Sequence, residues 1–263
     1  MTFLVIGATG KTGRRVADRL AALDLPVRLA SRSAAQPFDW TDRSTWAPTL
    51  TGADAAYITY HPDLAFPGAE DDIQAFTTLA ADLGVKHLVL LSGRGEPLAV
   101  ASERIVQNSG LAWTIVRCAW FMQNFDEGHL AGPVAEGVLA LPAKNVGEPF
   151  IDVDDIADVA VAALTRPGHH GRLYELTGPR LLTFTDVATE LTQALGREIT
   201  FLPVTPEEYA TAALAQGVPT EEIDGIVTLF TELFDGRNAH LTDGVHQALG
   251  RPARDFTDYA KSL

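Results

Sequence analysis

The chain has 263 residues, 46% of them apolar, enough for one large α/β domain or a domain with a smaller lobe and too apolar for a disordered chain. Twenty basic against thirty-four acidic residues leave a formal charge of −14, which argues against nucleic acid and anionic membrane surfaces as partners. The single cysteine, Cys118, excludes an intrachain disulfide, and with no secretory leader and no apolar run of roughly 18 residues the reading is cytoplasmic.

Short apolar runs alternate with helical spacing through the first half. TFLVI (2–6) predicts a strand and Lys11 to Leu23 a helix. PVRLAS (26–31) is the second strand, and a short stretch around Phe38 is a candidate third. ADAAYITY (53–60), VKHLVLLS (85–92) and AWTIVR (112–117) follow as strands, with helices from Asp71 to Leu83 and from Leu98 to Ser109 between them. Gly84 and Gly110 stop those helices, as left-handed caps do. After Arg117 the pattern loosens. A helix is expected over 152–165, a strand over 171–178, helices over 183–195, 206–216, 221–234 and 243–249, and one more strand over 198–204. The expectation is an α/β fold: a doubly wound parallel sheet of Rossmann type over residues 1–178, with a smaller, mainly helical lobe over 179–263.

The chemistry begins at GATGKTG (7–13), which directly follows a strand and opens a helix. In that context each glycine has a task. Gly7 permits the tight turn, Gly10 lets the backbone approach a pyrophosphate, and Gly13 lets helix and strand pack closely. The amides and partial positive charge of the helix N-terminus favour the phosphates. The second predicted strand ends Ser31-Arg32-Ser33, where NAD-selective folds carry an acid for the ribose 2′-hydroxyl. An arginine there suits a 2′-phosphate, and Lys11 inside the turn is a second candidate charge. NADP(H) is therefore the expected cofactor. Residues 1–32 also hold six basic side chains against Asp18 and Asp24, a local excess of +4 in an acidic chain. That island fits an anionic ligand or the solvated face of the first helix.

The segments GATGKTGRRV (7–16), LLSG (90–93), SGLAWTIVRCAWFMQNF (109–125), FIDVDDIADVA (150–160), YELTGP (174–179) and GRPARDF (250–256) resemble the NmrA-like atypical short-chain dehydrogenases/reductases. Within that group the likeness is to the NAD(P)H:quinone oxidoreductase and festuclavine synthase-like branches. The resemblance implies that Thr9, Gly10, Lys11, Thr12 and Arg32 line the adenine and phosphate side. It places Thr59, Tyr60, Ser92 and Gly93 at the nicotinamide half, and Trp120, Phe121 and Asn124 around the substrate.

Ordinary short-chain dehydrogenases protonate their product with a Tyr-x-x-x-Lys pair. Here the four lysines are Lys11, Lys86, Lys144 and Lys261, and none lies four residues after a tyrosine. Alcohol dehydrogenase, epimerase and dehydratase chemistry is thus disfavoured. A quinone or an iminium accepts hydride without such a pair, and the aromatic segment 120–125 suits a flat, apolar small molecule. If an acid acts, Tyr60, His61 and Ser92 are the candidates. The expected function is NADPH-dependent reduction of a planar, electron-poor acceptor by a monomer or homodimer. The alternatives are a non-enzymatic NADP(H) redox sensor working through a protein partner, and an isomerase or cyclase that keeps NADP as scaffold.

Overall fold

The structure, a computed structural model, describes residues 1–263 except the side chains of residues 221 and 222. The strands are β1 (Phe3–Ile6), β2 (Val27–Ala30), β3 (Ala55–Ile58), β4 (His87–Gly93), β5 (Ala112–Cys118), β6 (Val138–Leu141), β7 (Arg172–Leu176) and β8 (Thr200–Pro203). The helices are α1 (Lys11–Ala22), α2 (Trp46–Leu50), α3 (Ala69–Asp82), α4 (Pro97–Gln107), α5 (Ala131–Glu136), α6 (Val153–Thr165), α7 (Phe184–Leu195), α8 (Pro206–Ala215), α9 (Thr220–Leu233), α10 (Gly244–Leu249) and α11 (Phe256–Ala260). No helix among the described residues is long and apolar enough to cross a membrane.

The chain divides into two compact units. The first joins Met1–Cys118, Val153–Leu176 and Thr242–Pro252; the second joins Ala119–Asp152, Thr177–Leu241 and Ala253–Leu263. Sequence reading drew a single boundary at residue 178, whereas the chain passes between the units several times. The reason is long-range pairing. Strand β6 finds its parallel partner in β8, some sixty residues on, and this draws 119–152 into the second unit. Conversely, α10 returns to the first unit, where a Cβ on Gly244 would stand 2.2 Å from the Glu175 carbonyl oxygen.

The first unit is built on a six-stranded sheet ordered β2-β1-β3-β4-β5-β7, parallel throughout. All four residues of β1 and of β3 are buried, as unbroken apolar runs are when helices cover both faces of a sheet. The chain leaves β1 for β2 on one side, then crosses back to β3 on the other. This reversal opens a crevice at the carboxyl ends of β1 and β3, the usual ligand position in such sheets. On one face α1 lies against α6. Arg19 grips Asp154 (2.7 Å) and Asp158 (2.6 Å), Arg15 reaches Asp154 (3.3 Å), and Arg251 holds Asp155 and Asp158, both at 2.6 Å. Part of the basic island therefore fastens two helices together.

The strand expected around Phe38 is absent. Phe38 is buried in a loop with Trp40, Trp46 and Phe76, its ring 5.0 Å from Trp40 and 6.0 Å from Phe76. Apolar aromatics at 38 and 40 mimic strand alternation, but the indoles of Trp40 and Trp46 anchor loop backbone instead. Trp46 Nε1 donates to the Asp39 carbonyl (2.8 Å), and Trp40 Nε1 to the Thr59 carbonyl (3.0 Å), which fixes the chain just beyond β3.

At the opposite end of the same sheet His87 starts β4, 3% exposed, with Nε2 3.0 Å from Thr114 Oγ1 and its ring 4.6 Å from that of His170. Burial, then the charges of His170 and His169, lowers its pKa to about 4. The folded value lies below the unfolded one, so the unfolded chain takes the proton first. Stability is whole above the unfolded pKa of ~6.5 and drains away as pH falls toward 4. Unfolding titrations in urea should show a loss of about 2 kcal/mol between pH 7 and pH 5 from this group, and His87→Asn should flatten that slope. A slope unchanged in the variant would assign the acid sensitivity elsewhere.

The second unit packs around Phe125, Phe150, Phe184, Phe230, Phe234 and Phe256, all 1% exposed or less. Its helices α7 and α8 start at capping boxes, Thr183 with Asp186 and Thr205 with Glu208, signals legible in the sequence.

Candidate functional site

The turn between β1 and α1 can be made only by glycine at two of its positions. Gly7 has φ +71°, and a Cβ there would stand 2.0 Å from Thr59 Oγ1. A Cβ on Gly13 would stand 2.2 Å from the Gly7 carbonyl oxygen. The Gly7 carbonyl accepts from Gly10 N (2.8 Å), closing the turn, and Gly10 caps α1 in extended conformation without a side-chain cap. The first turn of α1 carries no acid. The helix therefore begins with amides that no side chain of the cap satisfies, at the positive end of its dipole. Thr9 and Gly10 are exposed, Lys11 is half-buried and Thr12 is buried. Beneath them the Tyr57 hydroxyl is wholly buried beside Thr12 and makes no hydrogen bond of good geometry. A glycine cradle leading to an uncapped helix start fits a dinucleotide pyrophosphate.

Thr59 closes the other side of the crevice. Its hydroxyl donates to the Ile6 carbonyl at 3.1 Å, tying the end of β3 to the end of β1. Tyr60, next along, donates its phenol to Asp72 at 2.9 Å and packs on Trp40 at 4.9 Å. Burial, then the Asp72 carboxylate, pushes that phenol up to about 12. Such a group holds its proton too firmly to be a good acid near neutrality.

Ser92, at the end of β4, is buried and donates to Glu103 Oε1 at 2.7 Å. Glu103, 1% exposed, is gripped in turn by Arg117, whose Nε lies 2.8 Å from the same oxygen and whose second nitrogen meets Oε2. Arg117 also faces Glu175, which accepts from Arg94 at 2.7 Å. The Ser92 proton is thus committed to a carboxylate that belongs to an ion-pair network beneath the sheet end.

Arg32 is exposed at the end of β2, and its charge is felt by Asp39. Cys118 is buried, and burial raises its thiol well above the ordinary range, so it is no ready nucleophile. His61 is exposed.

Trp120, Phe121 and Asn124 fall in the second unit, after β5; Phe121 caps and Asn124 ends a short 3-10 turn, Met122–Asn124. Trp120 packs edge-on or tilted among Phe230 (5.4 Å), Phe234 (5.1 Å) and His129 (6.2 Å), its indole nitrogen buried without a partner. Phe121 forms a parallel bridge with Ile151. Asn124 is half-buried.

Sequence reading passed over Glu96. The residue precedes Pro97 at the start of α4, where an acid reads as an ordinary cap, yet its side chain makes no cap hydrogen bond. It turns back instead on Gly93, where a Cβ would stand 2.3 Å from Oε2. It is 8% exposed, and Oε2 is buried without a partner.

No family model matches the chain. Curated relatives do. The chain is 31% identical to an NAD(P)H azoreductase of Xenophilus azovorans over 98% of its own length and 96% of the relative's. It is 31% identical to an agroclavine dehydrogenase of Claviceps fusiformis over the same shares, 98% and 96%. Among solved structures, an NADPH-dependent quinone oxidoreductase from Escherichia coli, complexed with NADPH, superposes with a TM-score of 0.84 at 22% identity, covering 100% of this chain and 99% of that one. That last likeness speaks for the fold.

Proposed function

Because the chain belongs to the NmrA-like atypical short-chain dehydrogenase/reductase family, we propose that it is an NADPH-dependent reductase of a planar, electron-poor small molecule, a quinone or a cyclic iminium. The observation that carries the reading is the glycine turn opening on an uncapped helix N-terminus, in a chain whose relatives include an NAD(P)H azoreductase and an agroclavine dehydrogenase. When bound, NADPH supplies a hydride from its dihydronicotinamide ring.

In this reading the backbone of Gly7 to Gly13, with Thr9, Lys11 and Thr12, holds the pyrophosphate. Arg32 takes the 2′-phosphate, and Thr59, Tyr60, Ser92 and Gly93 border the nicotinamide. Tyr60 and Ser92 act by position, since each hydroxyl already donates to a carboxylate. The proposed roles of Trp120, Phe121 and Asn124 at the substrate come from the sequence resemblance. Phe121→Ala should lower turnover and leave NADPH affinity unchanged.

Arg32 carries the cofactor choice. Arg32→Ala should weaken NADPH by about 1–3 kcal/mol, the worth of a charge-assisted pair, and leave NADH nearly untouched. Equal losses for both cofactors would remove Arg32 from the 2′-phosphate.

The test of function is steady-state NADPH oxidation with a panel of quinones, cyclic iminium ions and simple ketones. Turnover of the first or second class with little on ketones is expected. Brisk ketone reduction would contradict the reading, because an alkoxide needs a strong proton donor that the Tyr-Lys pair usually provides.

A further inference from the structure

A carboxyl oxygen buried without a partner is costly unless the group is neutral, and a buried acid that meets no donor takes up a proton. Glu96 is in that position. Its Oε2 is sealed from water, and Gly93, one of the residues at the carboxyl end of β4, has no side chain to keep the carboxyl away. Placed at a helix start, a charged Glu96 would be drawn to the amides of α4, yet it accepts none of them. The side chain has left the one nearby place that stabilises its anion. It lies instead at the strand end that borders the proposed nicotinamide half.

We infer that Glu96 is the proton donor of the reduction, holding its carboxyl beside Gly93 for an acceptor whose reduced form is an oxyanion. The inference rests on the reductase reading above and narrows it to quinone-type acceptors, since an iminium needs no proton. A quinone that gains a hydride, two electrons with one hydrogen, becomes a hydroquinone monoanion. The O–H bond of Glu96 then breaks, a new O–H bond forms on that anionic oxygen, and the Glu96 carboxylate regains its proton from water.

Burial and then the charge of Asp63, on the loop after β3, raise Glu96 to about 8. Asp63 is itself raised by burial. The other charged groups near this strand end face one another: Arg94 with Glu175, and Arg117 with Glu103 and Glu175. A carboxyl with such a value still holds its proton at neutral pH and is close enough in acidity to give it up.

The experiment compares the wild-type protein with Glu96→Gln, which keeps size and neutrality. Infrared titration of the cofactor-free wild type should show a carboxylic acid band that disappears near pH 8, and the band should be missing from Glu96→Gln. With a benzoquinone, kcat of the wild type should fall about tenfold per pH unit above that value, while the variant is slower by about 100-fold or more and flat with pH. Equal kcat and equal pH profiles in the two proteins, or no band titrating near pH 8, would overturn the proposal. A wild type that binds NADPH and shows the band but oxidises no NADPH with any quinone would instead strike the reductase reading, and the proton-donor role with it. Should Glu96→Gln fail to fold, the wild-type profile decides: a kcat flat through pH 8 overturns the proposal.

Discussion

Gly13→Ala should abolish useful NADPH binding. The new Cβ would stand 2.2 Å from the Gly7 carbonyl oxygen and 2.7 Å from the Gly7 carbonyl carbon, both backbone atoms with no rotamer to move. Relief requires α1 to back away from the end of β1. The amides at the helix start then lose their aim at the phosphates, and losing two charge-assisted hydrogen bonds weakens binding by about 100-fold or more. The same clash should cost about 1–3 kcal/mol of stability, seen as a Tm lower by about 2–4 °C per kcal/mol. Gly132→Ala is the control, because a Cβ there meets nothing within 4 Å. Calorimetric titration showing wild-type affinity in Gly13→Ala would remove this turn from the phosphate site.

The largest loss of stability is expected from Arg117→Ala. Glu103 is 1% exposed and would keep only the Ser92 hydroxyl as partner. Breaking a buried pair by removing one member costs about 3–5 kcal/mol, mostly the penalty on the charge left behind. The sign with pH follows. With Arg117 gone, the buried Glu103 is uncompensated only while it is charged, so the variant regains stability at low pH and loses it as pH rises. Urea unfolding should therefore show a greater deficit at pH 8 than at pH 5.5. Glu103→Gln combined with Arg117→Met should recover most of it, since no uncompensated charge remains. A deficit independent of pH would mean that packing of the Arg117 stem, and not the ion pair, carries the effect.

Much of the first unit was legible because each signal is local. The run Phe3–Ile6, the glycine spacing 7–13 and the left-handed cap at Gly84 are dictated within a few residues. The errors have the opposite cause. Phe38 and Trp40 alternate like a strand, yet two indole hydrogen bonds to backbone keep them in a loop. Val138–Leu141 became a strand only through pairing with Thr200–Pro203, which no nearby residue announces. Most of the candidate site was readable as residue types, but not as states. Tyr60 and Ser92 look like free hydroxyls in the sequence, and the fold gives each of their protons to a carboxylate. Glu96 looks like a solvated cap, and only its burial against Gly93 makes it an acid of interest. Charge state depends on depth, and depth is a property of the whole fold.

The central claim is that this chain uses bound NADPH to reduce an acceptor rather than merely to register it. Single-turnover mixing settles this. Protein loaded with one equivalent of NADPH is mixed with excess quinone, and the dihydronicotinamide absorbance is followed, once with ordinary NADPH and once with NADPH deuterated at C4. The account predicts a rapid decay that depends on the protein and on quinone concentration, slower with the deuterated cofactor because that bond breaks. Tight NADPH binding with no decay for quinones or cyclic iminium ions would contradict it and identify the chain as a cofactor sensor.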